Sequence, residues 1–99
     1  MKTTFTARHF DASTHLKNYA LGSIDKLEQF YDKIIACDIV LEPTQDDENP
    51  TKAEFNVKVP QVLLRASESA PTYEQAVNNA VDNLVRQLRK YKEKRFKHN

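Results

Sequence analysis

The side chains able to do covalent chemistry are few and scattered. Cys37 is the one cysteine, and it sits at an alternating apolar position where a thiol is more often a small core residue than a nucleophile. Ser13, Ser23, Ser67 and Ser69 belong to no nucleophile motif. His9, His15 and His98 have no neighbouring cysteine and no second ligand one helical turn away, so they make no metal site. Asp46, Asp47 and Glu48 resemble a calcium loop in composition alone, without its glycine or its spaced final glutamate. A single glycine, Gly22, excludes the glycine-rich phosphate loops. No catalytic set emerges. The chain reads as a binding protein and not an enzyme, with no cofactor, no metal and no small-molecule substrate.

What the sequence does concentrate is positive charge. The formal net charge of +1 suggests no anionic partner, but its distribution does. Residues 1–85 carry eight basic and thirteen acidic side chains, net −5, whereas residues 86–99 carry seven basic side chains and one acid, Glu93, net +6. At about 100° per residue, Arg86, Arg89, Lys90 and Lys97 fall within roughly a quarter turn of a helix, opposite its apolar stripe. A row of cations on a rigid helix suits a phosphate backbone, because each neutralised phosphate releases counterions. Arginine adds bidentate phosphate contacts and stacking on bases. Tyr91, at the end of the stripe, is placed to stack on an unpaired base if the helix outlasts the sheet beneath it. Lysine and arginine in the last turns of a helix also complement its dipole, but that accounts for two or three cations, not seven. Membrane-surface binding fits less well, because the other face of this helix is committed to the core.

The elements that must position these residues follow from periodicity. Ninety-nine residues make one domain, 1–99, with room for one core, and 39% hydrophobic residues suffice to fill it. Lys2–Arg8 reads as a strand. Asp11, Ser13 and Thr14 offer capping oxygens for a helix to about Asp32, with Leu16, Tyr19, Ala20, Ile24, Leu27, Phe30 and Tyr31 as its buried stripe. Gly22 interrupts that helix at a cost of about 1 kcal/mol. Ile34–Glu42 is a second strand, with Ile35, Cys37, Ile39 and Leu41 on one face and Ala36, Asp38, Val40 and Glu42 on the other. An acidic loop, 43–51, precedes a cleanly alternating third strand, Lys52–Val59, in which Ala53, Phe55, Val57 and Val59 point inward. Pro60-Gln61 is a tight connection to a fourth strand, Val62–Ser67. Ser69 to Thr72 announces a second helix with a capping oxygen and Pro71 in its first turn. Its stripe is Tyr73, Ala76, Val77, Ala80, Val81, Leu84, Leu88 and Tyr91. The order β-α-β-β-β-α predicts an α+β fold, with two helices packed on one face of a four-stranded, mostly antiparallel sheet and the other face wet. A lone cysteine, no apolar run long enough to span a membrane, and no signal-like N-terminus predict a cytoplasmic protein.

Several segments together resemble one family. They are Thr6-Ala7-Arg8-His9-Phe10, Leu16-Lys17, Asp25 to Tyr31, Asp38-Ile39-Val40-Leu41, Arg65-Ala66-Ser67, and Tyr73 followed by Asp82 to Lys94. In this order they resemble the short form of the ribosome hibernation promoting factors, a group also called ribosome-associated inhibitors or sigma-factor modulation proteins. The resemblance implies a fold similar to double-stranded-RNA-binding domains. It implies binding to the small ribosomal subunit and its rRNA in the cleft where messenger and transfer RNA sit, and translational inhibition by occupancy under stress or in stationary phase. By motif position, the rRNA-binding residues it implies are Lys17, Lys26, Arg86, Arg89, Lys90 and Lys94, with Arg8 and His9 as a weaker carry-over. The periodicity separately adds Tyr91 and Lys97. The chain departs from the family at Pro60-Gln61, where glycines are common, and at Pro71-Thr72, where the cap is often acidic. Ending at Asn99, it is expected to be without the dimerisation domain of the long form and to be a monomer, with pairing of ribosomes calling for a second factor. Two alternatives stay open: a generic double-stranded-RNA binder, and a protein-interaction module regulating a transcription factor.

Overall fold

The computed structural model describes the backbone of residues 1–96 and side chains as far as Lys94. The elements are β1 (Lys2–Ala7), α1 (Thr14–Phe30), β2 (Ala36–Pro43), β3 (Thr51–Val59), β4 (Val62–Ala70) and α2 (Tyr73–Phe96). The fold is α+β, as the element order predicts, and the strands lie in the order β1-β2-β3-β4 in one mixed sheet. β1 pairs in parallel with β2, so the chain must cross over between them, and α1 is that crossover. β2–β3 and β3–β4 are antiparallel.

Alternation along the strands explains the sheet's two faces. Cys37, Ile39 and Leu41 of β2 align with Val57, Phe55 and Ala53 of β3, and Phe55 and Val57 align in turn with Ala66 and Leu64 of β4. All of these are buried under the helices. The α1 contribution is Leu16, Ala20, Ile24 and Leu27, and α2 adds Ala76, Val77, Ala80, Val81, Leu84 and Leu88. Two expectations about β2 fail. Ile35 is exposed and its neighbour Ile34 fills the core instead, although the Ile35 backbone already bonds to Lys58 O and Lys2 N. Val40 faces outward yet is buried, flanked in register by Thr6 and Glu54.

The helix ends are fixed locally. Of the three oxygens available before α1, Ser13 is the cap, its Oγ accepting from Leu16 N at 3.0 Å. At the far end Tyr31 N donates to Leu27 O at 2.8 Å. Before α2 the cap is Thr72, whose Oγ1 accepts from Gln75 N at 3.2 Å. Ser69 belongs to β4, which runs three residues further than the sequence suggests, and Pro71 precedes the cap instead of entering the first turn. The β3–β4 turn has two residues between the paired Val59 and Val62. Pro60 opens it and Gln61 takes φ 71°, a position where glycine is favoured. His9 takes φ 67° as the chain turns from β1 toward α1. That connection is held by Arg8 N donating to Leu41 O at 2.8 Å and by Phe10 stacked on Tyr73, ring centroids 4.5 Å apart.

Candidate nucleic-acid interface

α1 and α2 lie side by side and run in the same direction. Their contacts pair Tyr19 with Asn78, Lys26 with Asp82 and Phe30 with Lys92 in increasing order. With the sheet behind them, the outer surfaces of both helices face solvent. Lys17, Lys26, Arg86, Arg89, Lys90 and Lys94 are all exposed there. α2 has 24 residues, a length of about 36 Å at 1.5 Å per residue. Its described cations, Arg86 to Lys94, occupy about 12 Å of that length in the C-terminal half.

The cations differ in what they already touch. Lys26 Nζ lies 3.2 Å from Asp82 Oδ1. Lys92, which the charge count treats like its neighbours, is half-buried. Its Nζ donates to Phe30 O at 3.2 Å and sits 4.9 Å from the centre of the Phe30 ring. It thereby satisfies a carbonyl at the C-terminus of α1, where the helix dipole also favours a cation. The Arg89 guanidinium is 5.8 Å from the same ring but remains exposed. Lys17, Arg86, Lys90 and Lys94 make no ion pair among the described residues. Lys90 and Lys94 lean to the β4 side, where they line a groove of about 730 Å³ with Val62, Leu64 and Tyr91.

Tyr91 is not a stacking platform. It is buried, its Oη donates to Pro60 O at 2.8 Å, and its ring meets Tyr31 edge-on at 5.5 Å. The β3–β4 turn and the end of α1 reach it, so the helix does not overhang the sheet at this point. Arg8 is exposed but lies 3.7 Å from Glu42, and His9 is exposed at its left-handed turn. The expectation for Lys97 falls outside the described residues. Sequence reasoning also missed Phe30, whose half-buried ring underlies two cations. It was legible only as one more residue of the α1 stripe.

The thiol and the acidic loop are engaged within the fold. Burial, with Asp38 alongside, pushes the Cys37 thiol up to about 12, so the thiolate needed for nucleophilic attack does not form near neutral pH. Among the described residues no cluster of His, Cys, Asp and Glu could hold a metal ion, and no helix is long and apolar enough to cross a membrane. The acidic loop closes on itself: Thr44 Oγ1 donates to Asn49 O at 2.6 Å, and Asp46 Oδ1 accepts from Glu48 N at 3.0 Å.

Residues 3–95 match the family described as Sigma 54 modulation protein / S30EA ribosomal protein. The chain belongs to this family. It is 29% identical over 99 residues to a ribosome hibernation promoting factor of Klebsiella oxytoca, covering 99% of this chain and 100% of that protein. A protein of the same name from Pseudomonas putida is 24% identical, with 95% of this chain and 89% of that one covered. A ribosome hibernation promotion factor of Deinococcus radiodurans is 26% identical over 93% of this chain, which spans 49% of that longer protein. Among solved structures, a ribosomal subunit interface protein from Coxiella burnetii superposes with a TM-score of 0.84 at 22% identity, covering 93% of this chain and 98% of that one. The N-terminal domain of Thermus thermophilus Protein Y gives 0.79 at 22% identity, over 92% and 99% of the two chains. These likenesses agree with the α+β fold and its element order.

Proposed function

We propose that this protein is a ribosome hibernation factor acting in the cytoplasm. It binds the small ribosomal subunit in the decoding cleft and silences translation by occupying the path of messenger and transfer RNA, without chemistry. The observation that carries this reading is the exposure of Lys17, Arg86, Arg89, Lys90 and Lys94 on the helical layer of a family member, with no acid paired to any of them among the described residues. The names of the relatives, and the small-subunit site implied by the family resemblance, point the same way. The rRNA-binding set is Lys17, Lys26, Arg86, Arg89, Lys90 and Lys94, with Arg8 and His9 at the margin.

Sucrose-gradient sedimentation with purified small and large subunits tests it. The protein should travel with small subunits at low salt, leave them as salt rises, and be displaced by transfer RNA. Failure to sediment with small subunits at low salt overturns the reading. Resistance to transfer RNA moves the site out of the decoding cleft. Recovery of a protein partner after nuclease treatment, without rRNA, favours an interaction module instead.

A further inference from the structure

Gly22 has no internal explanation. It lies inside α1, exposed, where glycine weakens a helix relative to alanine. A Cβ built there would meet nothing within 4 Å, so packing against the rest of the protein does not demand glycine. Its φ is not positive, so backbone conformation does not demand it either. A remaining use of glycine is to let another backbone come close.

Gly22 lies in a groove of about 640 Å³ between α1 and α2. Asn18, Gly22 and Lys26 follow one another at four-residue spacing along one wall, and Asn78 and Asp82 stand on the other. The groove presents hydrogen-bond donors. Tyr19 Oη donates to Asn78 Oδ1 at 2.8 Å, which leaves the NH2 of that exposed amide without a partner among the described residues. The Asn18 amide has no partner among the described residues, and Lys26 balances the groove's one acid, Asp82, at 3.2 Å. The next outward positions along α2 are Arg86 and Arg89. From Asn78 to Arg89 is about 16 Å along the helix. The groove itself offers two amides and one lysine, and the cations next along α2 are Arg86 and Arg89; together these match phosphate and ribose oxygens.

We infer that the α1–α2 groove seats a stretch of RNA sugar–phosphate backbone that passes directly over Gly22 toward Arg86 and Arg89. This rests on the ribosome-binding reading and names a subsite within it. Gly22 is then held at the expense of stability because a side chain there would stand in the strand's path.

The test is Gly22→Ala. The free protein should gain about 4–8 °C in melting temperature, while its affinity for small subunits falls at least about tenfold, a loss of about 1.4 kcal/mol, with the salt dependence unchanged because no charge is altered. A more stable variant with unaltered affinity overturns the proposal. If Arg86→Ala with Lys90→Ala still weakens binding in that case, the ribosome-binding reading survives and only the groove is wrong. If the unmodified protein binds no small subunit, both fall. A second readout covers a variant that destabilises instead: Asn18→Cys carrying tethered Fe(II)-EDTA, with the buried Cys37 unreactive, should cleave rRNA in the complex. Absence of cleavage in a complex that forms overturns the proposal.

Discussion

Alanine at Arg86 and alanine at Lys92 remove one positive charge each, six residues apart on the same helix, yet they should act on different quantities. Lys17, Arg86, Arg89, Lys90 and Lys94 are exposed and pair with no acid among the described residues. If each neutralises one phosphate, the logarithm of affinity should fall against the logarithm of salt with a slope of about −3.5 to −4.5, using 0.7 per contact for single strands and 0.9 for duplex. Raising salt from about 50 to 200 mM then weakens binding by about 100- to 500-fold. Arg86→Ala should flatten the slope by about 0.7–0.9.

Lys92 already spends its ammonium on Phe30 O and the Phe30 ring. Lys92→Ala should leave the slope in place and cost about 0.5–1.5 kcal/mol of stability through the lost hydrogen bond. Titrations against purified small subunits at four salt concentrations, with denaturant melts of the same variants, separate the two effects. A Lys92→Ala slope as flat as that of Arg86→Ala would refute the division of the basic run into binding and structural cations. So would an Arg86→Ala slope equal to the parent's.

Three further outcomes are expected. Tyr91→Phe should cost about 1 kcal/mol by leaving Pro60 O without its donor, with ribosome affinity unchanged; weaker binding at equal stability would restore a stacking role. The Cys37 thiol, pushed from 9.0 to about 12 by burial, should resist thiol reagents at pH 8 until denaturant unfolds the chain. Because its folded value is the higher one, its contribution is complete below about pH 9 and fades as pH rises toward 12, so Cys37→Ala should lessen alkaline destabilisation, as melts between those values will show. Glu54 is the opposite case: the Arg65 guanidinium at 2.8 Å holds its carboxyl below the usual 4.5. Its contribution is present above that value and lost as pH falls through the folded one. Arg65→Ala should therefore blunt acid destabilisation in melts between about pH 3 and 5, and an unchanged acid limb would count against the pairing.

The parts of the fold legible in the sequence are those in which burial repeats with the backbone. Ala53, Phe55, Val57 and Val59 alternate along β3, and all four are buried. Leu16, Ala20, Ile24 and Leu27 repeat along α1, and Arg86, Arg89 and Lys90 of α2 fall opposite its apolar stripe for the same reason. The exposure of Lys17, Lys26, Arg86, Arg89 and Lys90 followed from that geometry, whereas Lys94 was named by the family resemblance. What spacing cannot show is a partner far away in sequence. Tyr91 meets a carbonyl 31 residues earlier, and Lys92 meets one 62 residues earlier. Each looks, within its own helix, like a free end of a stripe or a face. Lys26 and Asp82, 56 residues apart, were readable as exposed but not as a pair. Gly22 could be priced within its helix, but the open space above it exists only once α2 lies alongside.

The same distinction explains why a chain of net charge +1 can favour one side for a polyanion. On the outer sheet face, Glu42 stands between Arg8 at 3.7 Å and Lys52 at 3.5 Å, and Glu54 meets Arg65 at 2.8 Å. Such surface pairs contribute only about 0–1 kcal/mol each, so stability is a weak account of them. Their electrostatic effect is larger: opposite charges held close together cancel each other's field at a distance. On α2 between Arg86 and Lys94, Glu93 is the sole acid, and four exposed cations stay uncancelled. The uncancelled positive charge therefore gathers on the C-terminal half of α2, whereas the charges of the outer sheet face are largely paired. A polyanion approaching by diffusion is turned toward the helices before any contact forms. Orientation then comes from which charges the fold pairs and not from their sum.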